Sequence, residues 1–195
     1  MAGDYTFFGV QVAVKAFHRD SFRRRLHEII AAAPEKQSLR DKRAFWKNVS
    51  AALNEGMPVF ELGYWDLVRG AKAEDEFETW TAEIEGSVAT EREEMGDAPD
   101  EANRLSSDKG YVLVTALALV ASDSNSDLTL GDRCDIPESE WWSRQTFARL
   151  FGTFPMLNFA QVEADAIYLA PGNDRDGLSM EDLHGDDYEY LHPLE

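Results

Sequence analysis

Cysteine is nearly absent from this sequence: Cys134 stands alone among 195 residues, so no intramolecular disulfide can form. The expectation is a reducing compartment, the cytoplasm, where a chain of this length buries enough surface to hold a core without staples. Long apolar runs are missing as well. The longest, Tyr111 to Ala121, falls well short of the about 20 residues a membrane-spanning helix needs, and no membrane insertion is expected. Met1-Ala2-Gly3-Asp4-Tyr5 does not join a basic segment to an apolar one and does not read as a signal peptide. The thirteen glycines are scattered, without the spacing that lets backbone amides cradle a pyrophosphate after a strand. Zinc needs several closely placed Cys or His side chains, and one cysteine with four dispersed histidines does not supply them. No Gly-x-Ser-x-Gly elbow occurs. Cys134 lies in Gly131-Asp132-Arg133-Cys134-Asp135, which reads as a loop thiol whose neighbouring carboxylates raise its pKa. These absences leave no catalytic residue, no cofactor and no metal to assign.

Charge is present and unevenly spread. The formal net charge is −18, which repels phosphate backbones and argues against nucleic acid as a partner. Residues 1–50 nevertheless hold ten basic and five acidic side chains, whereas residues 51–195 hold nine and 32. The chain is positive at one end and strongly negative over the remainder.

Periodicity divides the chain into alternating elements. Phe8, Val10, Val12 and Val14 recur every second residue within Thr6–Lys15, the signature of a strand with one apolar face. Helical spacing follows in Phe22, Leu26, Ile29, Ile30 and Ala33, then in Phe45, Trp46, Val49 and Leu53. Val59–Val68 is rich in aromatic and branched residues and reads as a second strand. Ala73–Thr90 reads as an acidic helix buried through Phe77, Trp80, Ile84 and Val88. Residues 91–110 lose periodicity and read as a mobile acidic loop within one domain spanning 1–195. Tyr111–Val120 is apolar on both faces and belongs at the centre of a sheet. Leu128–Leu130 suggests a short strand, Glu138–Phe151 a helix, Phe159–Leu169 a last strand, and Ser179–Leu191 short acidic helical structure. The expected class is α+β: a mostly antiparallel four-stranded sheet covered by helices on one side, with a ferredoxin-like core carrying insertions as the leading plan.

Several groups are candidates for function. Arg19, Arg23, Arg24, Lys42, Arg43 and Lys47 are concentrated on two consecutive helices of an acidic chain, where they either form a partner-docking patch or are neutralised by the chain's own acidic helix at Glu74–Glu85. Asp174, Asp176, Glu181, Asp182, Asp186 and Asp187 form an acidic surface near the opposite end of the sequence. Within it, the stretch from Gly172 to Leu183 is similar to a calcium loop through Asp174, Asp176 and Gly177. Aligned on that glycine, however, Gly172 and Leu183 occupy the first-ligand and bidentate-glutamate positions, so an acidic turn capping the next helix is favoured, with Ser179 ahead of Glu181 and Asp182. Glu138 with Glu140, and Asp186 with Asp187, are carboxylate pairs of a kind that arises by chance in a chain with 37 acids. The adjacent Trp141 and Trp142 point about 100° apart on a helix, so one of them can face solvent, with a core or boundary role the favoured reading.

Tyr111-Val-Leu-Val-Thr-Ala-Leu117, Ala148-Arg-Leu-Phe-Gly152, Val162-Glu-Ala164, Ala170-Pro171, Leu178-Ser-x-Glu-Asp-Leu183, Asp187-Tyr188 and Leu191-His-Pro-Leu194 resemble the C-terminal signature of a domain family. That uncharacterised family occurs in cyanobacterial and chloroplast proteins and includes the fluctuating-light-acclimation protein. The first half is similar in layout, with a strand like Gly9–Val14, two helices and a strand led by Pro58. Leu169-Ala170-Pro171 departs from the tryptophan and Thr-Pro pair usual there. The resemblance implies a domain without assigned enzymatic activity, linked in plants to thylakoid proton homeostasis, and it carries no set of functional residues. The function expected is therefore that of a regulatory or scaffolding domain that contacts a protein partner or a second copy of itself. An acidic immunity or inhibitor protein, and an enzyme with a site assembled from distant residues, are the alternatives.

Overall fold

The first strand owes its place to being apolar on both sides. In β1 (Tyr5–Lys15) every residue from Thr6 to Val14 is buried, so the expectation of a single apolar face is corrected. The computed structural model of the chain describes residues 4–15, 21–33, 38–95, 109–172 and 177–195, with side chains at all of these except 21 and 87–95. In those residues β1 lies at the middle of a five-stranded sheet of order β4-β3-β1-β2-β5, formed with β2 (Phe60–Arg69), β3 (Tyr111–Ala121), β4 (Val162–Ala170) and β5 (His192–Pro193). The fifth strand, absent from the sequence reading, is only two residues long and pairs with Leu62 and Gly63 at the β2 edge. Every pairing is antiparallel, as the sequence reading expects, and β1 and β2, although joined through α1 and α2, are direct neighbours instead of the separated parallel pair of a split βαβ core.

Because side chains alternate across a pleated strand, the two faces of this sheet collect different helices. Even-numbered residues of β1 and β3, such as Phe8, Val12, Val114 and Ala118, share a core with Leu26 of α1 (Ser21–Ala31) and with Trp46, Val49 and Leu53 of α2 (Leu39–Gly56). Leu130 of α4 (Asn125–Cys134) and Phe147, Leu150 and Phe151 of α5 (Arg144–Phe151) complete that layer. The odd-numbered Phe7, Leu117 and Leu119 instead receive α3 (Ala73–Met95) through Ile84, Phe77 and Trp80. Farther along the same face, Ala13, Leu62 and Leu113 pack against Leu183 of α6 (Met180–Leu183) and Leu191. Helical cover on one side only, as expected from the sequence, is thus corrected to cover on both. Among the described residues no helix is long and apolar enough to cross a membrane.

Local chemistry explains the remaining boundaries. Ser38 opens α2 with a reciprocal cap: its hydroxyl accepts from the Asp41 N–H at 3.2 Å and its own N–H donates to Asp41 at 3.1 Å. The Ser38 hydroxyl also donates to the Asp41 carboxylate at 2.6 Å, and that bond, with the one from the Ser38 N–H, holds the exposed Asp41 carboxyl below its ordinary pKa. Leu128–Leu130 is helical rather than extended, because Ser124 accepts from the Asp127 N–H and starts α4 there; Leu130 is buried and Leu128 points outward. Glu138–Phe151 is not one helix either. A 3-10 turn at Glu138–Glu140 ends before Ser143, whose hydroxyl caps α5 through the Thr146 N–H. Phe159–Gln161 is a turn that precedes β4, and the acidic Ser179–Leu191 stretch reduces to α6 and a turn at Asp186–Tyr188. Helix α3 runs to Met95, into the segment expected as a loop from residue 91, and residues 96–108 lie outside the described residues.

Candidate functional site

One row of residues crosses four strands on the odd-numbered face. Tyr64 of β2 pairs with Gln11 of β1, Gln11 with Thr115 of β3, and Thr115 with Tyr168 of β4. The middle two are polar residues in the interior of largely apolar strands, and each is almost completely buried. Gln11 satisfies both ends of its amide: Nε2 donates to the Thr115 hydroxyl at 2.8 Å, and Oε1 accepts from the Tyr190 hydroxyl at 2.7 Å. The neighbouring rows carry little bulk at Gly9, Ala13, Ala166 and Ala170, which leaves space over the row. A cavity of about 640 Å³ occupies it, within the usual size range of ligand pockets.

Aromatic and acidic groups surround that space. From α3, Trp80 stacks on Tyr64 with ring centroids 5.8 Å apart, and Tyr190 meets Tyr64 edge-on at 5.4 Å. Gly9 lets Trp80 lie against the sheet, since a Cβ there would approach the Trp80 ring to 3.0 Å and the Phe7 ring to 2.7 Å. Glu83 of α3 and, from the turn after α6, Asp186 and Asp187 are exposed and line the cavity. No lysine or arginine lines the cavity among the described residues. Burial, followed by the charges of Asp66 and Glu76, raises the pKa of Tyr64. Burial and the nearby Glu85 carboxylate, which accepts a hydrogen bond from the Tyr168 hydroxyl at 3.3 Å, do the same to Tyr168. Tyr190 is pushed up by burial first and then by Tyr188, with Glu83 and Asp187 adding to the effect. All three phenols are therefore neutral hydrogen-bond donors at ordinary pH, in a negative field. The Thr115 hydroxyl accepts from the Gln11 amide, which ties β1 to β3 beneath the cavity.

The basic set does not stay together as one patch. Arg23 is buried and donates to the Pro171 carbonyl at 3.3 Å. Lys42 pairs with Asp165 of β4, which also accepts from the Trp46 indole at 2.9 Å. Arg24 and Glu28 approach to 3.9 Å on the solvent side of α1, while Arg43 and Lys47 are exposed on α2. Arg19 lies outside the described residues, as do Asp174 and Asp176 of the calcium-like stretch. Helix α3 covers the face of the sheet opposite α1 and α2, so it is Asp165, and not the acidic helix, that meets the basic helices. Glu181 and Asp182 sit in the first turn of α6, where Asp182 completes the Ser179 cap. Among the described residues no group of three His, Cys, Asp or Glu side chains is placed to hold a metal ion.

Cys134 ends α4 and is half buried; burial pushes its thiol up to about 12, although Arg149, Arg69 and Arg133 pull the other way. Burial, rather than the flanking aspartates named from the sequence, is the cause. Trp141 and Trp142 are both half buried: Trp141 donates to the Ile136 carbonyl at 2.8 Å, and Trp142 stacks on His192 at 3.9 Å. Of the candidates read from the sequence, only Asp186 and Asp187 line the cavity; Gln11, Thr115, Tyr64, Tyr168, Trp80, Glu83 and Tyr190 were missed. Gln11 and Thr115 carried a signal, as polar residues inside largely apolar runs, which are costly to bury unless hydrogen-bonded. Comparison of the chain with family models, with curated proteins and with solved structures finds no match.

Proposed function

We propose that this chain is a non-enzymatic regulatory or scaffolding domain that works through protein–protein contacts and receives a basic segment of its partner at the acidic, aromatic cleft. One observation carries the reading: the cleft joins three exposed carboxylates to aromatic walls, on the side of the sheet away from the basic helices. The resemblance to a family without assigned activity agrees with it. The single cysteine favours a cytoplasmic setting. Self-association of a basic face on an acidic face is less favoured, because the two lie across the sheet and copies would stack head to tail, against a net charge of −18.

The test is affinity capture with the full chain, comparing the wild type with an Asp186→Lys/Asp187→Lys variant and an Arg24→Glu/Arg43→Glu/Lys47→Glu variant. The expected result is a stoichiometric protein partner that is released by salt, lost by the first variant and kept by the second. Retention by the first variant and loss by the second would move the contact to α1 and α2 and sink the proposal.

The same rim supports a second reading, an acidic inhibitor that presents carboxylates to a basic enzyme in place of phosphates. Here the partner would be a nuclease encoded beside this chain, and its activity would fall on adding the wild type but not the Asp186→Lys/Asp187→Lys variant.

A further inference from the structure

The cleft is built to hold more than a general negative charge. Its floor is a hydrogen-bond chain in which Tyr190 donates to Gln11 and Gln11 to Thr115, so both ends of the Gln11 amide are already engaged. What faces the space above them is chiefly aromatic: the stacked pair Trp80 and Tyr64, with Tyr168 and Tyr188 on the lining. Ring faces carry negative quadrupole potential and attract a desolvated organic cation, most strongly when the ring is tryptophan. Carboxylates at the rim add a charge complement without needing to coordinate a bare ion.

We infer that this cleft is a binding site for an organic ammonium group on an aliphatic stem, with the head against Trp80 and Tyr64 and the charge balanced by Glu83, Asp186 and Asp187. The inference rests on the reading of the cleft as the contact surface and names its ligand chemistry. A small inorganic cation would lack the apolar stem that the aromatic walls reward. An anionic ligand would meet three carboxylates and no compensating base among the described lining residues. A lysine side chain of a partner and a free polyamine both present the required group.

Calorimetric titration of the full chain separates these possibilities. The probes are spermidine, N-acetyl-lysine methylamide and tetramethylammonium, each against sodium chloride at matched ionic strength. Saturable one-to-one binding that survives the salt control is expected, and the tighter of spermidine and the lysine amide identifies the source. Asp186→Asn/Asp187→Asn and Trp80→Leu should each weaken it about tenfold, while Tyr64→Phe, which keeps the ring, changes it little. The exposed aspartate pair tests the site even if the tryptophan variant fails to fold. Absence of saturation, equal displacement by sodium chloride, or indifference to the aspartate variant would overturn the inference. Loss of a protein partner from the Asp186→Lys/Asp187→Lys variant without any ammonium binding would overturn it alone and leave the proposed function standing. Ammonium binding without a protein partner would do the reverse.

Discussion

Gln11 and Thr115 show how a single buried bond makes an apolar strand tolerate polarity. Replacing Thr115 with Val removes the acceptor for Gln11 Nε2 and leaves a buried donor unpaired, at a cost of about 1–3 kcal/mol. The Gln11→Leu/Thr115→Val pair should recover part of that loss, because neither strand then buries a polar group and the Tyr190 hydroxyl that loses Gln11 belongs to an exposed residue within reach of water, and urea unfolding of the two variants measures the difference. Asp127 is a second buried polar group with an identifiable role. Burial acts to raise its pKa, but the Arg69 guanidinium, the Thr6 hydroxyl and the Asp123 N–H together lower it. A carboxyl lowered in the folded state binds fewer protons than in the unfolded chain, so its contribution to stability is complete above the unfolded value of about 3.9 and disappears as the pH falls through the folded one. Asp127→Asn should therefore flatten the fall in denaturant midpoint as the pH drops below about 4; an unchanged slope would remove Asp127 from the account.

At the scale of elements, close approach makes glycine necessary where helices lie on the sheet. A Cβ at Gly63 would stand 2.4 Å from the buried Phe147 ring of α5, and one at Gly9 would strike Phe7 and Trp80. Gly63→Ala is expected to cost about 1–3 kcal/mol by thermal unfolding, with the binding cleft intact, since Phe147 lies on the opposite face of the sheet. Gly9→Ala is expected to cost a similar amount and also to weaken ammonium binding, because it displaces a cleft wall. The two variants separate stability from the site. The strand His192–Pro193 closes the β2 edge, and Leu194 donates to the Glu61 carbonyl at 2.8 Å while its side chain enters the core. That anchor holds the segment carrying Tyr190, so Leu194→Ala should raise hydrogen exchange at the β2 edge.

For the molecule as a whole, the sheet separates charge that the sequence only divides by position. Basic helices α1 and α2 and acidic α3 occupy opposite faces, which sets up a field across the sheet rather than a set of mutual ion pairs. Light scattering should give a monomer at both low and high ionic strength, since net −18 opposes association. A mass that grows without limit as salt is lowered would instead reveal head-to-tail stacking.

Residue order by itself determined the α+β class, the strands at β1, β2 and β3 and the helices α1 to α3, because apolar spacing is a local property written along the chain. It also determined the Ser179 cap, whose partners are three residues apart. It did not determine α4, where a three-residue alternation was outweighed by a serine cap, or β5, where two residues are too few for any period. Only the tertiary structure decided which face each helix covers, since that depends on chain path and not on spacing. The cleft belongs to the same class of fact. Tyr64, Gln11, Thr115 and Tyr168 become neighbours through strand register alone, and the carboxylates across from Trp80 arrive from a segment more than a hundred residues away.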